Sequence, residues 1–474
     1  MAKRKLDLTD ENQSTFKVIL YLAWPLFVEQ VLSTLVSFVD TAMVGSLGAA
    51  ATASVSISNS FVFLINGVII ALGVGITAYV ARNVGAKDYE AAKAYIRHAL
   101  LLLLFIGLPV ALVPAFLHRQ IPKWMGADPE YLKMAQEYLL ITSSFRIFTM
   151  MMMVLGSVFR GRGDTKTPLR VNIVVNLLNV VGNYLLIHGN HTIHLNIGFL
   201  GIDWAIPMIG AGLGVKGAAL STGASWLLGG MTLCILLFVK DDPTRLTLRD
   251  SFRPRLPVIR NIVKLSIPAM LERLCMSGAG IVVTKAIATL GTTAVAANAV
   301  YSTAESLSYM PAFAFATACT TLVGQALGAK KPDLAKRYGW HTVYVGLVVM
   351  VATGLGLYIF ATPLVRVINQ DADVVELATT CLKIVAFIQP MQVISWGLAG
   401  GLRGAGDTKY PFYVTAVCNW LIRALGATLC IYVFHMGLAE SVLTMCADQT
   451  VRAVCMFLRF RSGKWIHVID DKKA

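Results

Sequence analysis

Long apolar runs alternate along the chain with short polar connections. Residues 100–117, 217–239 and 345–363 contain no charged side chain, and each approaches the ~20 residues that cross a bilayer core as a helix. Continuing the count gives twelve spans, near 17–41, 55–80, 96–117, 133–155, 168–188, 217–239, 261–287, 295–325, 340–362, 376–400, 411–433 and 438–458. The pattern predicts an all-α integral membrane protein. No short apolar leader with a small-residue cleavage site precedes the first run, so insertion is expected to start from that run.

A repeat carried by five separated segments lies beneath the hydropathy pattern. Pro25, Glu29, Leu47-Gly48, Gly85-Ala86-Lys87 and Gly163-Asp164-Thr165-Lys166 recur 243 residues on as Pro268, Glu272, Leu290-Gly291, Gly328-Ala329-Lys330 and Gly406-Asp407-Thr408-Lys409. One fixed spacing held through five separated segments means two related halves. They divide as an N-terminal six-helix lobe over 1–240, a basic, proline-bearing linker over 241–264 and a C-terminal six-helix lobe over 265–474. An even number of spans per half makes the repeat parallel, related by an axis along the membrane normal, and puts a substrate path between the lobes.

Composition agrees with the pattern, at 56% hydrophobic and 14% charged residues where a soluble chain has about 25% charged. The net charge of +15 would suit nucleic acid if it were gathered on one face; here it is dispersed over connections between spans, so no nucleic-acid partner is expected. Alternate connections hold Arg82, Lys87, Lys93 and Arg97; Arg160, Arg162, Lys166 and Arg170; Lys330, Lys331, Lys336 and Arg337; and Arg403 with Lys409. Basic short loops mark the cytoplasmic side, which puts both termini there. The eight cysteines sit inside apolar runs without metal-ligand or redox spacing and read as small buried hydrophobes.

Ionisable groups within spans are expensive and point to function. Asp40 lies roughly 30 Å along the first helix at ~1.5 Å per residue. On the fifth span Asn172, Asn176, Asn179 and Asn183 follow the spacing i, i+4, i+7, i+11, which puts four amides on one face. Asn179 and Asn183 reach the depth of Asp40, with Thr222 of the sixth span near the same level. One carboxylate among amide and hydroxyl oxygens makes a Na⁺ site of Asp40, Asn179 and Asn183, or a network that tunes a protonatable acid. The alternative is that Asp40 only ends its helix and that the amides only glue helices together, which weighs most for Asn172 and Asn176.

The repeat tests this internally. Adding the same offset maps Asp40 to Val283, Asn179 to Ile422 and Asn183 to Gly426, so the deep polar cluster belongs to the N-terminal lobe alone. Glu29 and Glu272 occupy matched positions and are expected to be structural or to border a cavity; Lys285 and Glu305 have apolar counterparts and are candidates for the cavity wall. The Gly-Asp-Thr-Lys segments lack phosphate-loop spacing and read as tight turns. Met150–Met153 point all around a helix, which favours packing over a cargo wall.

At the level of motifs, Phe38-Val39-Asp40-Thr41-Ala42-Met43-Val44-Gly45, Gly324-Gln325-Ala326-Leu327-Gly328-Ala329 and the segments Arg162–Pro168 and Arg403–Lys409 resemble the multidrug and toxic compound extrusion (MATE) family over nearly the whole chain. The resemblance implies two six-helix lobes around a V-shaped cavity, alternating access, and export of cationic or amphiphilic drugs against H⁺ or Na⁺ by a monomer without cofactors in the bacterial inner membrane. It also implies that Asp40 couples the ion, with Asn179, Asn183 and Thr222 as partners. Two departures stand out. DinF-type members carry an aspartate at the position of Asn183, so a two-carboxylate proton mechanism does not transfer; NorM-type members use a tenth-span aspartate in the C-terminal lobe that has no counterpart here.

Two rival functions have sequence signatures. A flippase for lipid-linked precursors needs several basic residues in the cavity to hold a pyrophosphate, and Arg146, Arg273, Lys285 and Arg423 lie deep in spans. An intramembrane enzyme needs converging catalytic groups; His188, His191 and His194 cluster only at an outer loop, so no enzyme is expected.

Overall fold

The computed structural model describes residues 7–197, 202–247 and 249–468, with side chains undescribed at 63–65 and 191–209. The N-terminal half runs α1 (Thr15–Gly45), α2 (Ala49–Gly85), α3 (Tyr89–Leu102), a π-helical turn at Leu103–Gly107, α4 (Leu108–Phe116), the short α5 (Ile121–Trp124), α6 (Pro129–Ser144), α7 (Arg146–Gly161), α8 (Lys166–Ile187), strands β1 (Gly189–Ile197) and β2 (Ile202–Ala211), and α9 (Val215–Val239). The C-terminal half runs α10 (Leu256–Ala288), α11 (Thr292–Gly328), α12 (Pro332–Ile359), the short α13 (Ala361–Ile368), α14 (Ala372–Ala386), α15 (Gln389–Gly404), α16 (Lys409–Val417), a π-helical segment at Cys418–Ala424, α17 (Leu425–Tyr432) and α18 (Leu438–Arg461). Among the described residues ten helices or continuous helical runs are long and apolar enough to cross a membrane, or twelve if each of the bent pairs α6–α7 and α14–α15 is one span.

The duplication extends to backbone conformation. Gly48 and Gly291 open α2 and α11 with φ of 108° and 99°, a region that a Cβ disfavours, and Lys87 and Lys330 both take φ of 58° in the turns that follow those helices. Asp128 and Asp371 cap α6 and α14, each accepting backbone N–H bonds from the first turn. The bends at Phe145 (47°) and at Phe387–Ile388 (53°) also correspond. The turns read from the Gly-Asp-Thr-Lys segments are pinned by their acids: Asp164 pairs with Lys240 past the end of α9, and Asp407 with Arg459 in the last turn of α18 (2.8 Å).

Three features differ from the expected spans. The tenth and fourth spans are each two helices, because Phe145 and the Gln389-Pro390 step interrupt the ladder. The third and eleventh contain π-helical segments. The connection expected as an outer loop is an antiparallel hairpin, with Ile193 opposite Ile206 and Leu195 opposite Trp204. His188 immediately precedes that hairpin; the side chains of His191 and His194 lie outside the described residues.

The lobes share one core at the end that carries the basic turns, called here the basic end. Val18, Ile19, Leu22, Ala23 and Leu26 of α1 are buried among residues of α11, α12, α15 and α18, and Ile262 of α10 is buried among α2, α3 and α7. The first helix of each lobe thus packs into the other lobe. Here α2 and α11 also cross closely. A Cβ on Gly85 would stand 2.0 Å from the Gln325 carbonyl oxygen, and one on Gly328 1.9 Å from that of Arg82. At the opposite, hairpin end each lobe has its own core, around Val44, Tyr138 and Ala219 in one and around Ala297, Leu382 and Val442 in the other. The outer surface carries large exposed apolar residues such as Phe105, Leu177, Ile235, Val348 and Leu421, which lipid covers.

The packing ranks three substitutions. A Cβ on Gly404 would lie 2.2 Å from the Thr320 carbonyl oxygen, whereas at Gly161, its counterpart, the tightest neighbour is at 3.0 Å, and at Gly280 nothing lies within 4 Å. Thermal unfolding in detergent should show Gly404→Ala destabilised by about 1–3 kcal/mol, Gly161→Ala by less, and Gly280→Ala unchanged or stabilised by up to about 1 kcal/mol.

Candidate functional site

Helices α1 and α8 start from the same end, run side by side and meet in register. Glu29 Oε1 accepts a hydrogen bond from Asn172 Nδ2 at 2.8 Å, and Asp40 Oδ1 accepts one from Asn183 Nδ2 at 2.6 Å. Both pairs are 143 residues apart in sequence, so two helices of equal pitch repeat the contact after three turns, about 16 Å further along. The carboxylates form two rungs of a ladder.

Asn179 stands between Asp40 and Thr222. Amide oxygen and nitrogen are assigned from their partners. With its nitrogen turned to the carboxylate, Asn179 donates to Asp40 Oδ1 at 2.8 Å and Oδ2 at 3.3 Å, and its oxygen accepts from the Thr222 hydroxyl at 3.1 Å. Ser221 Oγ donates to the Asn179 carbonyl at 2.9 Å and fixes α9 against α8. Asn179 and Asn183 are buried, Asp40 and Thr222 half-buried. All four predicted residues therefore meet in one cluster supplied by α1, α8 and α9. Asn176 shares the face but joins neither rung.

Asn183 Oδ1 in this cluster is buried without a hydrogen-bond partner among the described residues, a costly state for an amide oxygen. Among the described residues no group of three or more His, Cys, Asp or Glu could hold a metal ion. A cation held here would rest on one carboxylate together with amide and hydroxyl oxygens, and both amides would have to turn their oxygens inward.

The C-terminal lobe repeats only the first rung. Glu272 Oε1 accepts from Arg403 Nη2 at 2.7 Å and from Thr415 Oγ1 at 3.2 Å, and Thr415 is again 143 residues beyond its carboxylate. In the N-terminal lobe Arg160 Nη1 lies 3.7 Å from Glu29 Oε1. Arg160 and Arg403, expected with the basic connections, instead sit in the last turns of α7 and α15 and face inward. For the second rung Asp40 still corresponds to Val283, but the fixed offset fails beyond the π-helical segment. Gly182 packs on Ser221 of α9 and Gly426 on Thr444 of α18, so the partner of Asn183 is Ala427 and not Gly426. It is apolar in either register.

Between the lobes lies a cleft open to solvent, enclosing about 1050 Å³ with that solvent included and walled by α2, α7, α10, α11, α15, α16 and α18. Arg160, Glu272, Arg273, Arg403 and Arg452 line it, beside Phe313, Met276 and Trp396; none of Asp40, Asn179, Asn183 or Thr222 does. Neither Lys285 nor Glu305 reaches its wall, contrary to expectation. Lys285 is exposed in the last turn of α10, and Glu305 is buried within α11. Arg146 is buried inside the N-terminal lobe with its guanidinium 5.0 Å from the Trp226 ring. Arg452, missed in the sequence, is buried and paired to Asp448 one turn before it; the i, i+4 acid–base spacing inside an apolar run was the available signal. Met150 is fully buried and Met151–Met153 pack around the same core, as packing side chains do.

A family model described as MatE matches residues 25–185 and 268–429, one block per lobe. The probable multidrug resistance protein NorM of Thermotoga maritima is 29% identical over 95% of this chain and 93% of its own length. Among solved structures, the crystal structure of MATE in complex with MaL6 superposes with a TM-score of 0.87 at 21% identity, covering 99% of this chain and 100% of that one. The outward-facing conformation of a multidrug resistance MATE family transporter of the MOP superfamily gives 0.85 at 21%, covering 98% and 99%.

The two carboxylate–arginine pairs differ in a way that stability can read. Removing one partner of a well-formed, largely buried pair costs about 3–5 kcal/mol. Double-mutant cycles on thermal unfolding with Glu272→Gln and Arg403→Gln should give a larger coupling energy than cycles with Glu29→Gln and Arg160→Gln. Equal couplings would mean that the shorter distance in the C-terminal lobe has no energetic consequence.

Proposed function

The chain belongs to the MatE family, and from that premise we propose that it is a secondary active antiporter that exports organic amphiphiles in exchange for H⁺ or Na⁺ by alternating access. The observation that carries the coupling assignment is the meeting of Asp40 with Asn179, Asn183 and Thr222 across three helices. The carboxylate is satisfied by the amide N–H groups of Asn183 and Asn179. An arriving proton makes Asp40 a donor, and Asn183 Oδ1, buried and unpartnered, is the acceptor beside it once the amide turns. An arriving Na⁺ uses the same oxygens with those of Asn179 and Thr222. Either ion breaks the amide-to-carboxylate bonds that tie α1 to α8 at this level. The family's transporters need no enzyme chemistry and no cofactor, and the ion is a co-substrate.

The proposed orientation puts the basic end, with both termini, in the bacterial cytoplasm, since its turns concentrate Lys and Arg. The shared core at that end and the separate cores at the other support an outward-open form, and a monomer suffices for it. A second reading, a flippase for lipid-linked precursors, draws support from the four arginines on the cavity wall.

Dye efflux from proteoliposomes, driven separately by a proton gradient and a Na⁺ gradient, tests the coupling. Wild type should respond to one gradient, which names the ion, and Asp40→Asn should lose at least about tenfold of that response because a coupling carboxylate cannot be replaced by a neutral amide. Efflux by Asp40→Asn at the wild-type rate would remove Asp40 from the mechanism; no response to either gradient would favour the flippase.

A further inference from the structure

The charges on the inter-lobe cavity do not balance. Of the four arginines that line it, Arg403 is paired to Glu272 at 2.7 Å, Arg160 faces Glu29 at 3.7 Å and Arg452 is paired to Asp448. Arg273, half-buried on α10 one residue beyond Glu272, makes no ion pair and no hydrogen bond among the described residues. The charges that act on it are Arg403, which repels it, and Glu272, which Arg403 and Thr415 already engage. Four guanidinium groups against three carboxylates leave one positive charge, and it sits at Arg273. Its counterpart in the repeat is Gln30, so this cation is not part of the framework common to both lobes.

The rest of the wall is apolar and partly aromatic. Phe313, Met276 and Met456 line the cavity with Trp396, whose ring is stacked on Tyr309 at 5.8 Å between centroids. Such a surface accepts a flat apolar body through ring and thioether contacts. An unpaired guanidinium in a partly desolvated cleft binds a carboxylate, sulfonate or phosphate through charge-assisted, bidentate hydrogen bonds. An organic cation in the same place meets uncompensated positive charge.

We propose that the inter-lobe cavity takes amphiphilic organic anions, with Arg273 binding the anionic group and the Phe313–Trp396 side holding the apolar body. This names the cargo class of the transporter and rests on that reading only for the cavity being the cargo site. The anionic group can belong to a soluble organic acid or to a lipid phosphate; the chemistry at Arg273 is the same.

Equilibrium binding to the purified full-length protein in detergent needs no gradient and so separates this proposal from ion coupling. Fluorescence anisotropy compares carboxyfluorescein, an anionic xanthene, with rhodamine 6G, a cationic xanthene ester, on wild type, Arg273→Gln and Arg273→Lys. Wild type should bind carboxyfluorescein about tenfold or more tightly than rhodamine 6G, and Arg273→Gln should lose that preference, a charge-assisted bond being worth roughly tenfold or more. Arg273→Lys, which keeps the charge, should retain most of it, and its size-exclusion profile guards against misfolding as the cause. Tighter binding of rhodamine 6G by wild type, or unchanged carboxyfluorescein affinity in Arg273→Gln, overturns the proposal. Competition with phosphatidic acid against phosphatidylcholine then assigns the source: displacement of carboxyfluorescein by phosphatidic acid alone points to a lipid phosphate, and its retention to a soluble acid. Anion selectivity without gradient-driven efflux would sink only the antiport reading; efflux without anion selectivity would sink only this one.

Discussion

The hydrogen bond between Asp40 and Asn183 is the constraint on which the asymmetry of the molecule turns. Its companion between Glu29 and Asn172 recurs in the other lobe as Glu272 with Thr415, so that rung belongs to the common framework. The Asp40 rung does not recur. Helix α1 is therefore held in two places by different partners: its basic-end half is buried in the C-terminal lobe, and its far half is tied by Asp40 to the N-terminal lobe. On the proposed mechanism, an arriving ion replaces the amide N–H to carboxylate bonds on that far half by contacts through the amide oxygens.

On the proposed assignments, cargo and ion do not share a pocket. The cavity wall includes none of the residues of the Asp40 cluster, so exchange must be transmitted by elements that touch both. Helix α7 is one such element. It carries Arg160 to the cavity, and the Phe145 ring at its start packs against Gly223, next to Thr222. A coupling path of this kind has physical content only if the bend between α6 and α7 has two arrangements that ion and cargo bias differently.

The twelve spans and their duplication were legible because a bilayer leaves few options: each crossing must be a helix that satisfies its own backbone, and the apolar run is its unavoidable trace. The meeting of Asp40, Asn179 and Asn183 was legible because helical periodicity and depth follow from counting residues. What escaped was set by direction and local geometry. Arg160 and Arg403 lie at helix ends, where sequence cannot tell an inward guanidinium from a solvated one. The hairpin alternates Ile193, Leu195 and Ile197 against polar neighbours, a strand period that was passed over between two strong helical runs. The π-helical segment in the eleventh span adds one residue to the repeat, a shift also visible in the unequal lengths of the two family matches. That added residue moves the position equivalent to Asn183 from Gly426 to Ala427.

The unpaired Arg273 has an energetic corollary. On the proposed assignment of one ion site in the Asp40 cluster, swapping a cationic cargo for one entering cation moves no net charge, and the membrane potential does no work. Expelling a monoanion while one cation enters moves two charges down an inside-negative potential. At 100 mV each is worth about 2.3 kcal/mol, so the two together sustain a cargo gradient of roughly a few thousandfold before any chemical ion gradient is added. On the proposed cargo and ion assignments, one guanidinium left without a partner makes the exchange electrogenic.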